Sequence, residues 1–122
     1  MTFTVQQVKD ALDSWEVERY SEYSKSNYTE TWNWDEADYA YGDGVTLNID
    51  GEEVPLTVAE ADTGGEGHGE YVFVVVKVGD QYFRKEGYYA SHYGTDWDGA
   101  FAEVEPFEKT VTDYRVIGKS VY

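Results

Sequence analysis

Val45-Thr46-Leu47-Asn48-Ile49-Asp50-Gly51-Glu52-Glu53-Val54-Pro55-Leu56-Thr57-Val58-Ala59-Glu60-Ala61 is the stretch that decides the fold class. Two runs of alternating apolar residues flank Asp50-Gly51. An Asp-Gly pair between such runs is the strongest short-range signal for a β-hairpin. The spacing predicts strands over 45–49 and 54–61. Pro55 has no N–H to give to a ladder, so it places the second strand at a sheet edge or marks a strand start.

The pattern continues on both sides. Tyr71 to Val78 is almost continuously apolar and reads as a central strand buried on both faces. Gly79-Asp80 then turns into Gln81-Tyr82-Phe83-Arg84-Lys85, a second hairpin. Phe101 to Glu105 and Thr110 to Ile117 read as two more strands, separated by Pro106. Toward the N-terminus, Val5, Val8, Leu12 and Trp15 recur at helical spacing behind Thr4, a capping residue. This predicts a helix over about 4–14, with room to extend toward Ser24. Tyr28 to Trp34 alternates at period two and reads as a strand. The expected fold is α+β: an antiparallel sheet of about six strands with the N-terminal helix on one face.

The chain has 122 residues, which suits one domain over 1–122. At this size roughly two-thirds of the unfolded chain's surface can be buried. There is no cysteine, which excludes thiol redox chemistry, disulfides and zinc-thiolate sites. No apolar run approaches the roughly 18 residues of a membrane span. Met1 to Leu12 lacks a charged-then-apolar leader pattern. The expectation is an intracellular protein without a membrane partner.

The net charge is −16, from 25 acids against 9 bases. Hydrophobic residues make up 41% and aromatics 17%, enough for a packed core, so the charge belongs to a folded surface. No lysine or arginine lies between Lys25 and Lys77, and that stretch carries twelve acids. The rest of the chain holds 13 acids with all 9 bases. A segment that folds back on itself brings these charges within a few Debye lengths, about 8 Å each at physiological salt. Three readings follow. One is a solvated face. The second is a docking surface for a basic protein, including mimicry of the DNA phosphate array, which carries one charge per about 1.7 Å of axis. The third, high-salt adaptation, fits poorly with six lysines to three arginines. Direct nucleic-acid binding has the wrong sign of field.

On the second reading the surface centres on Trp32, Trp34, Tyr39 and Tyr41 as anchors, with Asp35, Glu36, Asp38 and Asp43 as a charged rim. Aromatic anchors with a charged surround are the usual makings of a protein interface. Two loops compete with it. Thr63 to Glu70 is glycine-rich, and the amides of Gly65 and Gly67 suit a phosphate cradle. It lacks the Lys-Ser/Thr ending of a P-loop, and Glu66 and Glu70 oppose an anion, so a plain hairpin connection serves as well. Gly87 to Gly99 displays Tyr88, Tyr89, His92, Tyr93 and Trp97, either as a recognition surface or folded under as local core. With Arg84 and Lys85 these loops make a second candidate site, for a nucleotide ligand.

Weaker patterns do not rise to a site. Asp96, Asp98 and Gly99 match part of a calcium loop, without its third acid and closing Glu in register. His68 and His92 are the only histidines. Ser91-His92 are sequence neighbours, which does not make a catalytic triad. Carboxylate pairs among Glu103, Glu105 and Glu108 are expected by chance in so acidic a chain. No metal, no cofactor and no enzymatic activity is expected.

Two runs carry a resemblance: Tyr82-Phe83-Arg84-Lys85-Glu86-Gly87-Tyr88-Tyr89-Ala90-Ser91-His92-Tyr93-Gly94-Thr95-Asp96-Trp97-Asp98-Gly99 and Glu103-Val104-Glu105-Pro106-Phe107-Glu108-Lys109-Thr110-Val111. With the Gly64 to Glu70 loop, they resemble small acidic proteins encoded by tailed bacteriophages, many from actinobacterial hosts, over about residues 64–114. That group carries no assigned activity, so the resemblance transfers no functional residues. It implies phage provenance, the host-cell cytoplasm, and a role in host takeover or counter-defence. Three functions are then expected, in order. The first is a non-enzymatic inhibitor of a basic host protein, one that binds nucleic acid or serves defence. The second is a binder that sequesters a nucleotide immune signal. The third is a minor structural phage protein.

Overall fold

The computed structural model describes residues 2–41, 43–62, 71–90, 94–108, 114, 117 and 118. In chain order the elements are α1 (Val5–Asp13), β1 (Glu16–Ser21), β2 (Ser26–Thr31), a 3-10 turn (Trp34–Glu36) running into α2 (Ala37–Ala40), β3 (Val45–Ile49), β4 (Glu52–Asp62), β5 (Tyr71–Val78), β6 (Gln81–Ala90), β7 (Gly94–Asp96) and β8 (Phe101–Val104). Strands β3 to β8 form a six-stranded antiparallel sheet in the order β3-β4-β5-β6-β7, with β8 also paired to β6. Strands β1 and β2 form a separate two-stranded ribbon. The expected α+β arrangement is the observed one.

The β3–β4 turn forms where the sequence puts it. Asp50 and Gly51 both take positive φ, 52° and 89°, as a two-residue type I′ turn requires. The Asn48 Oδ1 accepts from the Gly51 amide at 2.9 Å and closes the turn. Helix α1 starts in a full capping box: Thr4 Oγ1 accepts from the Gln7 amide, and Gln7 Oε1 accepts from the Thr4 amide. It stops at Asp13 and does not run on toward Ser24. The Ser14 hydroxyl donates to the Asp10 carbonyl in the last turn, Trp15 is buried, and the alternating run after it pairs as β1. The strand read over 28–34 ends at Thr31, where Trp34 begins the 3-10 turn. Of the expected strand over 110–117, only Tyr114 and Ile117 belong to the described residues.

Two strand expectations are corrected. Strand β5 is not buried on both faces. Val72, Val74, Val76 and Val78 point inward and are buried, while Phe73, Val75 and Lys77 are half-buried and Tyr71 is exposed. Among the described residues the layer of helix and aromatic side chains covers only one face of the sheet. Pro55 is neither on an edge strand nor at a strand start, because β4 lies between β3 and β5. Its carbonyl accepts from the Gly79 amide at 3.1 Å, so its backbone faces the turn where β5 has already ended. No ladder partner there needs the missing N–H.

Two features set which side chains reach the outer face. The β4–β5 register shifts between Val58 and Glu60, with Ala59 as the extra residue. Strict alternation from Val54, Leu56 and Val58 would turn Glu60 inward. The bulge turns Glu60 and Asp62 out and Ala61 in. At the other end Gln81, a buried polar side chain, holds the N-terminus. Its Oε1 accepts from the Phe3 amide at 2.7 Å, and its Nε2 donates to the Phe3 carbonyl at 2.9 Å and to Glu103 Oε2 at 3.1 Å.

Gln81→Ala is expected to destabilise the chain by about 2–3 kcal/mol in urea unfolding, because it orphans buried backbone groups at Phe3. Gln81→Glu keeps the acceptor but sets a carboxylate against Glu103. It should lose more stability at neutral than at acidic pH.

Candidate binding surface

The aromatic anchors read from the sequence are mostly interior. Trp32 stacks on Tyr41 at 4.4 Å between centroids, and Trp15 meets both rings edge-on at 6.0 and 5.5 Å. The chain of rings continues from Trp32 to Trp34 at 5.1 Å, then from Trp34 to Trp97 at 6.3 Å and to Phe101 at 6.0 Å. Phe101 stacks on Phe83 at 5.8 Å. All four tryptophans of the chain lie in this series. It covers the inner face of the sheet together with α1.

Tyr41, 2% exposed, is therefore a core residue and not a surface anchor. Trp32 and Trp34 are half-buried against the core. Of the four anchors only Tyr39 stands out, at 73% exposure. The hydroxyl of Tyr41 accepts from the Asn33 amide at 3.2 Å. Burial raises its pKa above the ordinary tyrosine value, and the Asn33 N–H partly opposes that shift.

The proposed rim is also divided. Asp35 is exposed but accepts from the Trp97 indole Nε1 at 2.6 Å, so it fastens the 3-10 turn to the sheet. Glu36 is half-buried, and Asp43 is exposed. Asp38 lies in α2, and its side chain is outside the described residues. Nor do the described acids of the base-free segment share one patch, Glu66 and Glu70 falling outside the described residues. Glu30 pairs with Arg19 at 2.7 Å on the ribbon. Asp50, Glu52 and Glu53 surround the β3–β4 turn, and Glu60 and Asp62 sit at the other end of β4. Nine residues of strand separate Glu53 from Asp62, about 30 Å at 3.3 Å per residue. That is more than three Debye lengths at physiological salt. Lys77 faces Thr57 between them, so the carboxylates of β4 form no unbroken row.

The nucleotide site read from the sequence is split by the pleat. Arg84 and Lys85 are neighbours on β6 and face opposite sides of the sheet. Lys85 shares the inner side with Phe83 and donates to the Gly99 carbonyl at 2.9 Å. Arg84 lies on the outer side, 3.3 Å from Glu86. Tyr88 shares the face of Arg84 and Tyr89 that of Lys85. Trp97 packs over Gly87, where an added Cβ would lie 2.8 Å from its ring, and its indole is taken by Asp35. Gly65, Gly67, His92 and Tyr93 fall outside the described residues. The loop acid Asp96 accepts from the Asp98 amide at 3.1 Å in a local turn. Among the described residues no three metal-ligating side chains converge, and no helix is long and apolar enough to cross a membrane.

Sequence reasoning missed a concave feature of the outer face. A groove of about 320 Å³ crosses the sheet from Ala59 and Glu60 on β4, over Val75 on β5 and Tyr82 and Arg84 on β6, to Val104 at the end of β8. Glu105, Pro106 and Phe107 wall its far end. A second hollow of about 560 Å³ adjoins it and shares Arg84, Val104, Glu105 and Phe107. The signal lay in the alternation of β5, which puts Val75 outside. The continuous apolar run concealed it.

Tyr41→Phe should cost about 1 kcal/mol at neutral pH by removing a buried hydrogen bond. A raised folded-state pKa means that the stability Tyr41 contributes is present below the ordinary tyrosine pKa and lost as pH rises through the folded value. The gap in unfolding free energy between the natural chain and the Phe variant should therefore narrow above about pH 10. Urea titrations on either side of that pH check it. Comparison of the chain with protein-family models, with curated proteins and with solved structures finds no match.

Proposed function

We propose that this chain is a non-enzymatic binding protein that engages a basic partner protein through its exposed carboxylates. The observation that carries the reading is the state of the acids in the base-free segment. Asp35, Asp43, Asp50, Glu52, Glu53 and Glu60 are all exposed. Among the described residues only three ion pairs form: Lys9–Asp13, Arg19–Glu30 and Arg84–Glu86. Two of the exposed acids meet neutral donors, Asp50 the Gln7 side-chain amide and Asp35 the Trp97 indole. The charge is left facing solvent, where it repels itself and lowers stability. A basic partner would relieve that repulsion, and carboxylates at a rim speed its encounter.

The separation of the acids into groups favours discrete contacts over a continuous imitation of DNA phosphates. The exposed tyrosines supply contact area. Tyr20, Tyr23 and Tyr28 lie on the β1–β2 ribbon, and Tyr23 at its turn is fully exposed. The resemblance to acidic phage proteins makes a basic host protein in an infected cell the partner to seek, with inhibition as the outcome.

The test is capture from host lysate, followed by affinity measurement with the purified partner. Between about 50 and about 300 mM salt the Kd should weaken by tenfold or more, mainly through the association rate. Charge reversal at Asp50, Glu52 and Glu53 should slow association without unfolding the chain. A partner held equally well across that salt range would refute the reading, as would one whose contact surface is acidic.

A further inference from the structure

We infer that the outer-face groove is the seat of a short, extended, basic segment of the partner, with basic side chains at Glu60 and at Glu105 and an apolar side chain between them. The inference rests on the reading of the chain as a binder of basic proteins, and it names the place.

Glu60 and Glu105 are both exposed, line the groove, and have no hydrogen-bond or ion-pair partner among the described residues. They stand at opposite ends of the lining, Glu60 on β4 and Glu105 just beyond β8. Between them Val75, Val104 and Pro106 supply apolar lining beside Tyr82 and Arg84, whose guanidinium contacts Glu86. Glu60 faces the groove only because of the bulge at Ala59.

The described bases on this face, Arg84 and Lys77, are already engaged. Arg84 contacts Glu86 at 3.3 Å, and Lys77 Nζ lies 5.9 Å over the Tyr82 ring. Lys77 shows the cation–π contact this surface supports. The ring of Phe107, 81% exposed at the groove's end, offers the same chemistry to an incoming cation beside Glu105. The Arg84 side chain is 42% exposed, so its guanidinium has N–H donors beyond the one facing Glu86 to offer the carbonyls of a peptide crossing above it.

Geometry sets the spacing. Three strand-to-strand steps separate β4 from β8, about 14 Å, and Glu105 lies three residues past Ala102, the β8 residue level with Glu60, so the diagonal is about 17 Å. Residues 1 and 5 of an extended peptide stand about 13 Å apart on one face with residue 3, and the length of arginine side chains spans the remainder. The fitting pattern is therefore basic, any, apolar, any, basic. A nucleotide fits badly, because two unpaired carboxylates face it and the groove's volume is at the low end for small-molecule sites.

The probe is the peptide acetyl-Arg-Ala-Val-Ala-Arg-amide, titrated into the full chain and followed by amide chemical shifts. Shifts are expected at Val75, Arg84 and Val104. E60Q/E105Q should weaken binding about fivefold or more, while E16Q/E22Q, with the same loss of charge at exposed positions away from the groove, should leave it unchanged. If E16Q/E22Q weakens binding as much and the shifts are scattered, the groove assignment falls while the basic-partner reading stands. If the peptide fails to bind although lysate capture yields a salt-sensitive basic partner, the groove assignment again falls alone. If neither finds a basic ligand, both fall. Equal binding of acetyl-Glu-Ala-Val-Ala-Glu-amide would overturn the charge argument. A dimer in sedimentation that Phe107→Ala makes monomeric would assign the groove to a second copy of the chain.

Discussion

One layer of side chains covers one face of the sheet, and everything else follows from that asymmetry. The inner surfaces of β3 to β6 present Leu47, Ile49, Leu56, Val74, Val76 and Phe83, all buried. They are closed over by α1 and by the ring series from Trp15 through Trp32, Tyr41 and Trp34 to Trp97 and Phe101. Edge-to-face and offset contacts in such a series contribute about 0.5–1.5 kcal/mol per pair beyond burial. The series also joins elements far apart in sequence. The bond from Trp97 to Asp35 crosses 62 residues, and the Gln81 side chain reaches Phe3 across 78. The lid is fastened by these contacts because its helices are short and the β1–β2 ribbon makes no layer of its own. A two-stranded ribbon is marginal in isolation.

The same asymmetry explains where the charge goes. With the tryptophans used inside, the described carboxylates lie mainly on α1, the ribbon, the turns and the outer face. Their mutual repulsion is eased by distance along an eleven-residue strand, β4. The outer face is left with half-buried Phe73 and Val75 beside exposed Glu60. Among the described residues nothing layers over this face, and its groove sets Val75, Tyr82 and Arg84 between two carboxylates.

Much of the fold was legible because local rules decided it. Asp50-Gly51 determined its turn through its own positive φ angles, and the Thr4 capping box started α1 through bonds within its first turn. The β5–β6 hairpin followed from Gly79-Asp80. What the sequence concealed depended on contacts between distant residues. Trp32, Trp34 and Tyr41 look alike as surface anchors or as core, and only the position of Trp97 and Phe101 above the sheet tells the two apart. Arg84 and Lys85 look like one cationic site, yet the pleat sends them to opposite faces. The run Tyr71 to Val76 suggested two covered faces because valine suits a half-buried strand as well as a buried one.

The bulge at Ala59 shows how a small irregularity carries functional weight. Without it, Glu60 would turn toward Val74 and Val76 and bury a carboxylate without a partner, a costly arrangement. A sequence with alternating Val54, Leu56 and Val58 followed by Glu60 must either break the alternation or accept that cost. The extra residue breaks it, and the carboxylate arrives beside Val75 on the open face. The acidic end of the groove is thus a consequence of keeping the core dry. The same residue order that protects the interior sets a carboxylate on the exterior.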